Sequence, residues 1–110
     1  MRRAVLYLAI LTVAGAASAA AQDAVTSGEK VFAAQKCALC HSVAGKGNLK
    51  GPLDVAVSTL SAGEIRSWIT DAKGMTAKTK ATRKPAMKEF TLPKDDVDAL
   101  VAYLSSLKKK

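Results

Sequence analysis

Cys37-Ala38-Leu39-Cys40-His41 holds the only two cysteines and the only histidine of the 110 residues. If a helix runs into this stretch, residues 37 and 40 share one face and residue 41 lies four beyond residue 37. One turn then presents two thiols and an imidazole to a single flat ligand. C-x-x-C-H is the attachment signature of a c-type haem: the thiols bond to the two vinyl groups of one porphyrin, and the imidazole reaches its iron. Three other chemistries compete. Structural zinc usually takes four Cys or His ligands, and this chain offers three with no second cluster. A thioredoxin-like redox pair sits beside a βαβ pattern, which is missing here. A Cys37–Cys40 disulfide would close a very small loop and stabilise little.

The start of the chain supports the haem reading. Arg2 and Arg3 precede an apolar run from Ala4 to Ala14, and small residues follow from Gly15 to Ala21. That order is the signature of a cleaved export signal, expected over residues 1–21 with cleavage after Ala21. The earlier Ala17-Ser18-Ala19 site is an alternative. As an uncleaved anchor the run is short, and no other segment is long and apolar enough to span a bilayer. Haem is joined to C-x-x-C-H outside the bacterial cytoplasm, so the leader places the mature protein in the periplasm. In that oxidising compartment two bare thiols would otherwise pair.

The remaining segment, residues 22–110, is one small domain with a limited core. Its aromatics are Phe32, Trp68, Phe90 and Tyr103. Domains of this size often need a covalent or metal staple, which a buried haem supplies, so the haem-free chain is expected to be largely unfolded. The whole chain carries 17 basic and nine acidic residues, a formal +8. Losing Arg2 and Arg3 leaves a formal +6 before the haem propionates subtract. A basic balance suits an acidic protein partner, an anionic membrane surface or nucleic acid; export argues against the last.

Three helices are expected, in an all-α fold. The first opens at Thr26-Ser27-Gly28-Glu29, which fits a capping box, and runs through Val31, Phe32 and Gln35 toward Cys37. Gly45, Gly47, Asn48, Gly51 and Pro52 then break the chain into turns. The second opens at a further capping box, Ser61-Ala62-Gly63-Glu64, buries Ile65, Trp68 and Ile69, and ends near Gly74. Residues 75–90 read as a basic loop ended by Pro85. The third starts near Pro93, with Asp95, Asp96 and Asp98 toward its N-terminus and Lys108, Lys109 and Lys110 toward its C-terminus. Val97, Leu100, Val101, Leu104 and Leu107 give it a helical stripe.

An iron held by His41 has a second axial position. No other histidine exists, and a thioether suits the site and raises the reduction potential. Met75 and Met87 are the candidates once Met1 leaves with the leader. Met87 is favoured, because Pro85 fixes the backbone just before it. The competing reading makes both methionines ordinary gap-fillers; a lysine ligand or an open iron site are further alternatives.

These residues resemble a class I c-type cytochrome, small and with one haem, over about residues 26–107. Gly28-x-x-x-Phe32 followed by Cys37-Ala38-Leu39-Cys40-His41 resembles the family's N-terminal helix and haem motif. Gly51-Pro52-Leu53 resembles the loop on the histidine side, and Met87, Phe90 and the helix through Leu100 and Tyr103 resemble the distal-ligand region. In many members a proline directly follows the ligand methionine, whereas Pro85 here lies two residues before it. The resemblance implies a cytochrome c fold: three main helices and loops wrapped around one covalently attached haem c. It implies that Cys37, Cys40, His41, Pro52 and Met87 bind the cofactor, with His41 and Met87 on the iron. It gives Pro52 a carbonyl that accepts a hydrogen bond from the His41 ring. It also packs Gly28 and Phe32 against the last helix near Leu100 and Tyr103. The motif's position near the chain start argues against the four-helix-bundle cytochromes.

The expected function is one-electron transport in the periplasm by a carrier that is not an enzyme, with redox proteins as partners. Two alternatives stand beside it: a dedicated haem subunit of an exported dehydrogenase, and a haem protein with an open site for peroxide or another small ligand. Trp68 reads as core packing or as a donor to a haem propionate. Lys78, Lys80, Arg83, Lys84 and Lys88 read either as a solvated loop or as a basic ring that steers an acidic docking surface.

Overall fold

The computed structural model describes residues 16–108, with side-chain environments from residue 19 onward. The charged and apolar stretch of the expected leader, residues 1–15, lies outside them. Helix α1 (Ala16–Ala34) is already helical ten residues before the capping box expected at Thr26. The alanines of 16–21 are the strongest helix formers in the chain, so they carry the helix through Thr26, and its hydroxyl caps no helix start. Among the described residues no helix is long and apolar enough to cross a membrane.

Helix α5 (Lys94–Ser106) begins just after Pro93, with Asp95 and Asp96 in its first turn. It buries Val97, Leu100, Val101, Tyr103 and Leu104. α1 packs on this face through Gly28 and Phe32, as the resemblance implies. A Cβ on Gly28 would fall on the Ala99 carbonyl oxygen and 2.5 Å from Tyr103 Cβ, so the bare glycine sets how closely the helices cross. Four residues on, Phe32 meets Tyr103 edge to face, with ring centroids 5.5 Å apart.

A short helix packs on α5 beside this pair. α3 (Ala62–Thr70) starts on the expected capping box: Glu64 N donates to Ser61 Oγ and Ser61 N donates to a Glu64 carboxylate oxygen. Its Ile65 and Ile69 join Val57, Phe32 and the α5 residues in one core. Trp68 is half-buried and does not pack on that cluster. Arg66 on α3 and Lys94 on α5 both pair with Asp98, at 2.6 and 2.7 Å.

Two sequence expectations need correction beyond this point. α3 ends at Asp71, not at Gly74, and a further helix, α4 (Ala72–Thr79), takes in residues 75–79 of the expected loop. Asp71 closes one helix and opens the next: its backbone leaves the helical region and its carboxylate accepts the Gly74 N–H. Ala72 and Met75, three apart, bury the apolar side of the new helix. The strap that follows, residues 81–93, has no regular structure.

Between the motif and α3 the chain makes a small antiparallel hairpin, β1 (Ser42–Val43) and β2 (Lys46–Gly47). Its central residues Ala44 and Gly45 both have positive φ, 51° and 77°, as a tight two-residue hairpin turn requires. Helix α2 (Leu53–Ala56) and a single 3-10 turn then carry the chain to α3 and bury Val57. Asp54 of α2 accepts the Ala44 N–H at the hairpin tip.

Candidate functional site

α1 stops short of the C-x-x-C-H stretch. Gln35 and Lys36 close its last turn, and Lys36 takes the left-handed conformation, φ 56°. The motif then makes its own 3-10 turn over Cys37–Leu39. The compactness expected of a helical turn survives, because Cys40 N and His41 N both donate to the Cys37 carbonyl, at 3.2 and 2.9 Å. The two thiols are not bonded to one another; Cys37 is half-buried and Cys40 is exposed. Among the described residues no group of three or more Cys, His, Asp or Glu converges as metal ligands would.

The loop over residues 42–52 fastens this turn from outside. Asn48 donates its backbone N–H to the Ala38 and His41 carbonyls and its side-chain amide to the Leu39 carbonyl, at 3.0–3.1 Å. Gly47, with φ 106°, passes so close to the His41 carbonyl that a Cβ would collide with it. Asn48 drew attention in the sequence only as a turn former. No local signal marks it as the bracket of the motif, because its partners lie seven to ten residues upstream.

His41 is half-buried, with Nδ1 3.2 Å from the Gly51 carbonyl oxygen. This corrects the acceptor that the family resemblance assigned to Pro52. Ser42 N donates to the same Gly51 oxygen at 3.0 Å and holds it against the motif, whereas the Pro52 carbonyl accepts Ala56 N at the start of α2. A Nδ1–H donated to Gly51 leaves the Nε2 lone pair free for a metal. Burial pulls the His41 pKa below its ordinary value; the Gly51 carbonyl opposes the shift and the Arg83 charge adds to it. A lowered pKa favours the neutral, ligating form of the ring. Burial likewise pushes the Cys37 thiol up, against the pull of its own backbone contact and of the Lys88 charge.

Beside Cys37 lies a small apolar cavity of about 30 Å³ walled by Phe32, Ile69, Phe90, Leu100 and Leu104, with Met87 on its rim. Met87 also lines a more open groove of about 430 Å³, between α4 and the strap, together with Thr76, Ala77, Lys73 and Lys88. Met87 is thus the partition between an apolar interior and a solvent-facing groove. Met75 is buried in α4 and lines neither. The donor set fits a covalent haem: two free thiols on one turn, an imidazole with its outer nitrogen pinned, and a thioether and a thiol facing the same apolar space. Lys78, Lys80, Arg83, Lys84 and Lys88 are all exposed, and Lys88 lines the groove. Lys88 Nζ lies 5.0 Å from the Phe90 ring centroid. One further residue went unremarked by the sequence as an individual: Arg83 Nη2, from the strap, donates to the Cys40 carbonyl.

A protein-family model described as Cytochrome c matches residues 25–108. Neither the curated proteins nor the solved structures give a match. The family match runs from the middle of α1 past the end of α5 and takes in every element that lines the cavity, so the chain belongs to the cytochrome c family and its cofactor is one covalently attached haem c.

Proposed function

We propose that this cytochrome is a periplasmic one-electron carrier in which Cys37 and Cys40 hold the haem as thioethers and His41 and Met87 ligate its iron. The observation that carries the reading is the shared cavity: Cys37 from the motif and Met87 from the strap face one apolar space. The haem supplies a couple between ferrous and ferric iron that passes one electron at a time. Gly51 orients His41 through Nδ1 and keeps Nε2 available in both redox states. Pro52 acts at one remove, its ring fixing the backbone that presents the Gly51 carbonyl. Phe32, Ile69, Phe90, Leu100 and Leu104 exclude water from the iron's surroundings. A methionine in the sixth position leaves no coordination site for a substrate, which separates this reading from a peroxidase or ligand-binding protein. The leader-like residues 1–21 support export, and the exposed basic residues of α4 and the strap support an acidic docking surface on the redox partner.

A second reading, a dedicated haem subunit of an exported dehydrogenase, draws on the exposed Leu39 and Leu49. The Asn48–Leu39 bond brings their loops together beside the motif, and an apolar contact there would suit a fixed partner. Spectroelectrochemistry of the holoprotein tests the carrier reading. A reversible one-electron couple is expected, with ferrous protein that does not take up carbon monoxide; immediate uptake would mean an open iron site. Electron transfer with a native partner should slow steeply with added salt, whereas an apolar fixed interface would give a flat response.

A further inference from the structure

We infer that Arg83 is a positioning residue that clasps the Met87 strap onto the haem-attachment turn and so governs how often the sixth position opens. The inference rests on Met87 being the iron ligand. The strap has few anchors. Ala81 N donates to Thr76 O and Phe90 N to Ile69 O, and Glu89 accepts Lys73 N at 3.3 Å. All of these tie the strap to α3 or α4. Of the strap residues, Arg83 alone hydrogen-bonds the attachment turn, its Nη2 donating to the carbonyl of Cys40, 43 residues away and next to His41.

The receiving side is shaped for a guanidinium. A Cβ on Gly51 would collide with Arg83 Nη1 as well as with the Cys40 carbonyl, so the missing side chain of Gly51 makes room for the arginine. The same Gly51 carbonyl holds His41 Nδ1. The clasp therefore joins the residue positions on both sides of the iron through one planar group. A charged donor on a backbone carbonyl is stronger than a neutral one, and a planar fork loses little freedom in forming it. The side chains of the other strap cations, Lys84 and Lys88, form no hydrogen bond or ion pair among the described residues, so charge alone does not distinguish Arg83 from them.

The test is the rate at which saturating imidazole displaces the sixth ligand of the ferric holoprotein, compared for the parent, Arg83→Gln and Lys84→Gln. At saturation this rate reads the opening of the strap. Arg83→Gln should open roughly tenfold faster, as expected for loss of one charge-assisted hydrogen bond. Lys84→Gln should match the parent within about twofold, because it removes a neighbouring charge without touching the clasp. Equal rates for Arg83→Gln and the parent would overturn the inference, as would equal acceleration in both variants, which would make the effect one of charge. The Met–iron charge-transfer band of the parent keeps the two readings apart. If that band is missing, the Met87 ligation fails; if it is present and Arg83→Gln opens no faster, only the clasp fails.

Discussion

The α1–α5 crossing and the strap over residues 81–93 meet at one cavity but are built in opposite ways. The crossing is made of side chains that cannot move independently: Gly28 against the Ala99 backbone, Phe32 against Tyr103, and Leu100 and Leu104 behind them. The strap has no regular structure and is held by a few single hydrogen bonds and by Phe90 and Leu92 on the edge of the core. The difference assigns separate jobs. Stability resides where apolar area is buried and close-packed; adjustment of the iron resides where the chain can shift without unfolding the core.

Substitutions on the two sides should therefore differ in what they change. The largest loss of stability is expected for Leu100→Ala, which empties a site 3% exposed in the core and beside the cavity; about 3 kcal/mol should disappear from urea unfolding of the holoprotein. Gly28→Ala should cost about 2 kcal/mol, because the added Cβ must push α5 away despite alanine's better helix propensity. On the strap, Glu89→Ala removes only an exposed contact to Lys73 N and should stay within about 0.5 kcal/mol of the parent. A strap variant as costly as Leu100→Ala would erase the contrast.

The smallest effect concerns pH. The Lys94 and Arg66 side chains hold the Asp98 carboxyl below the usual carboxylate range. A depressed folded pKa contributes stability above the unfolded value and loses it as pH falls through the folded one. The parent should exceed Asp98→Asn in urea midpoint at neutral pH, and the two should converge in acid. A gap that widens on acidification would reverse the assigned sign. The pair is solvent-exposed, so the gap should also shrink in high salt.

What the sequence made legible was local or resembled a known pattern. The Ser61–Glu64 capping box could be read because both partners lie within four residues. The C-x-x-C-H stretch could be read because its chemistry is carried by residue types at fixed spacing. The Gly28–Phe32 face followed from family resemblance, and the packing against Ala99 and Tyr103 agrees with it. The errors arose where one signal had two uses. Thr26 looked like a helix start because the alanines before it, good helix formers, also fit the small residues of a cleavage site. Gly74 looked like a helix end, but it sits in the first turn of α4 under the carboxylate of Asp71. The histidine's acceptor moved from Pro52 to Gly51, a difference of one peptide unit that Ser42 decides from across the loop. Arg83 could not be singled out at all, since its partner is 43 residues away and only the fold brings them together.

The central claim is that the motif and the strap complete one closed iron site through His41 and Met87. The near-infrared Met–iron charge-transfer band of the ferric holoprotein tests it most directly, measured in the parent, Met87→Ala and Met75→Ala. The account predicts a band in the parent that disappears in Met87→Ala and persists in Met75→Ala, although Met75 is the more buried of the two. A band that survives in Met87→Ala and vanishes in Met75→Ala would contradict it.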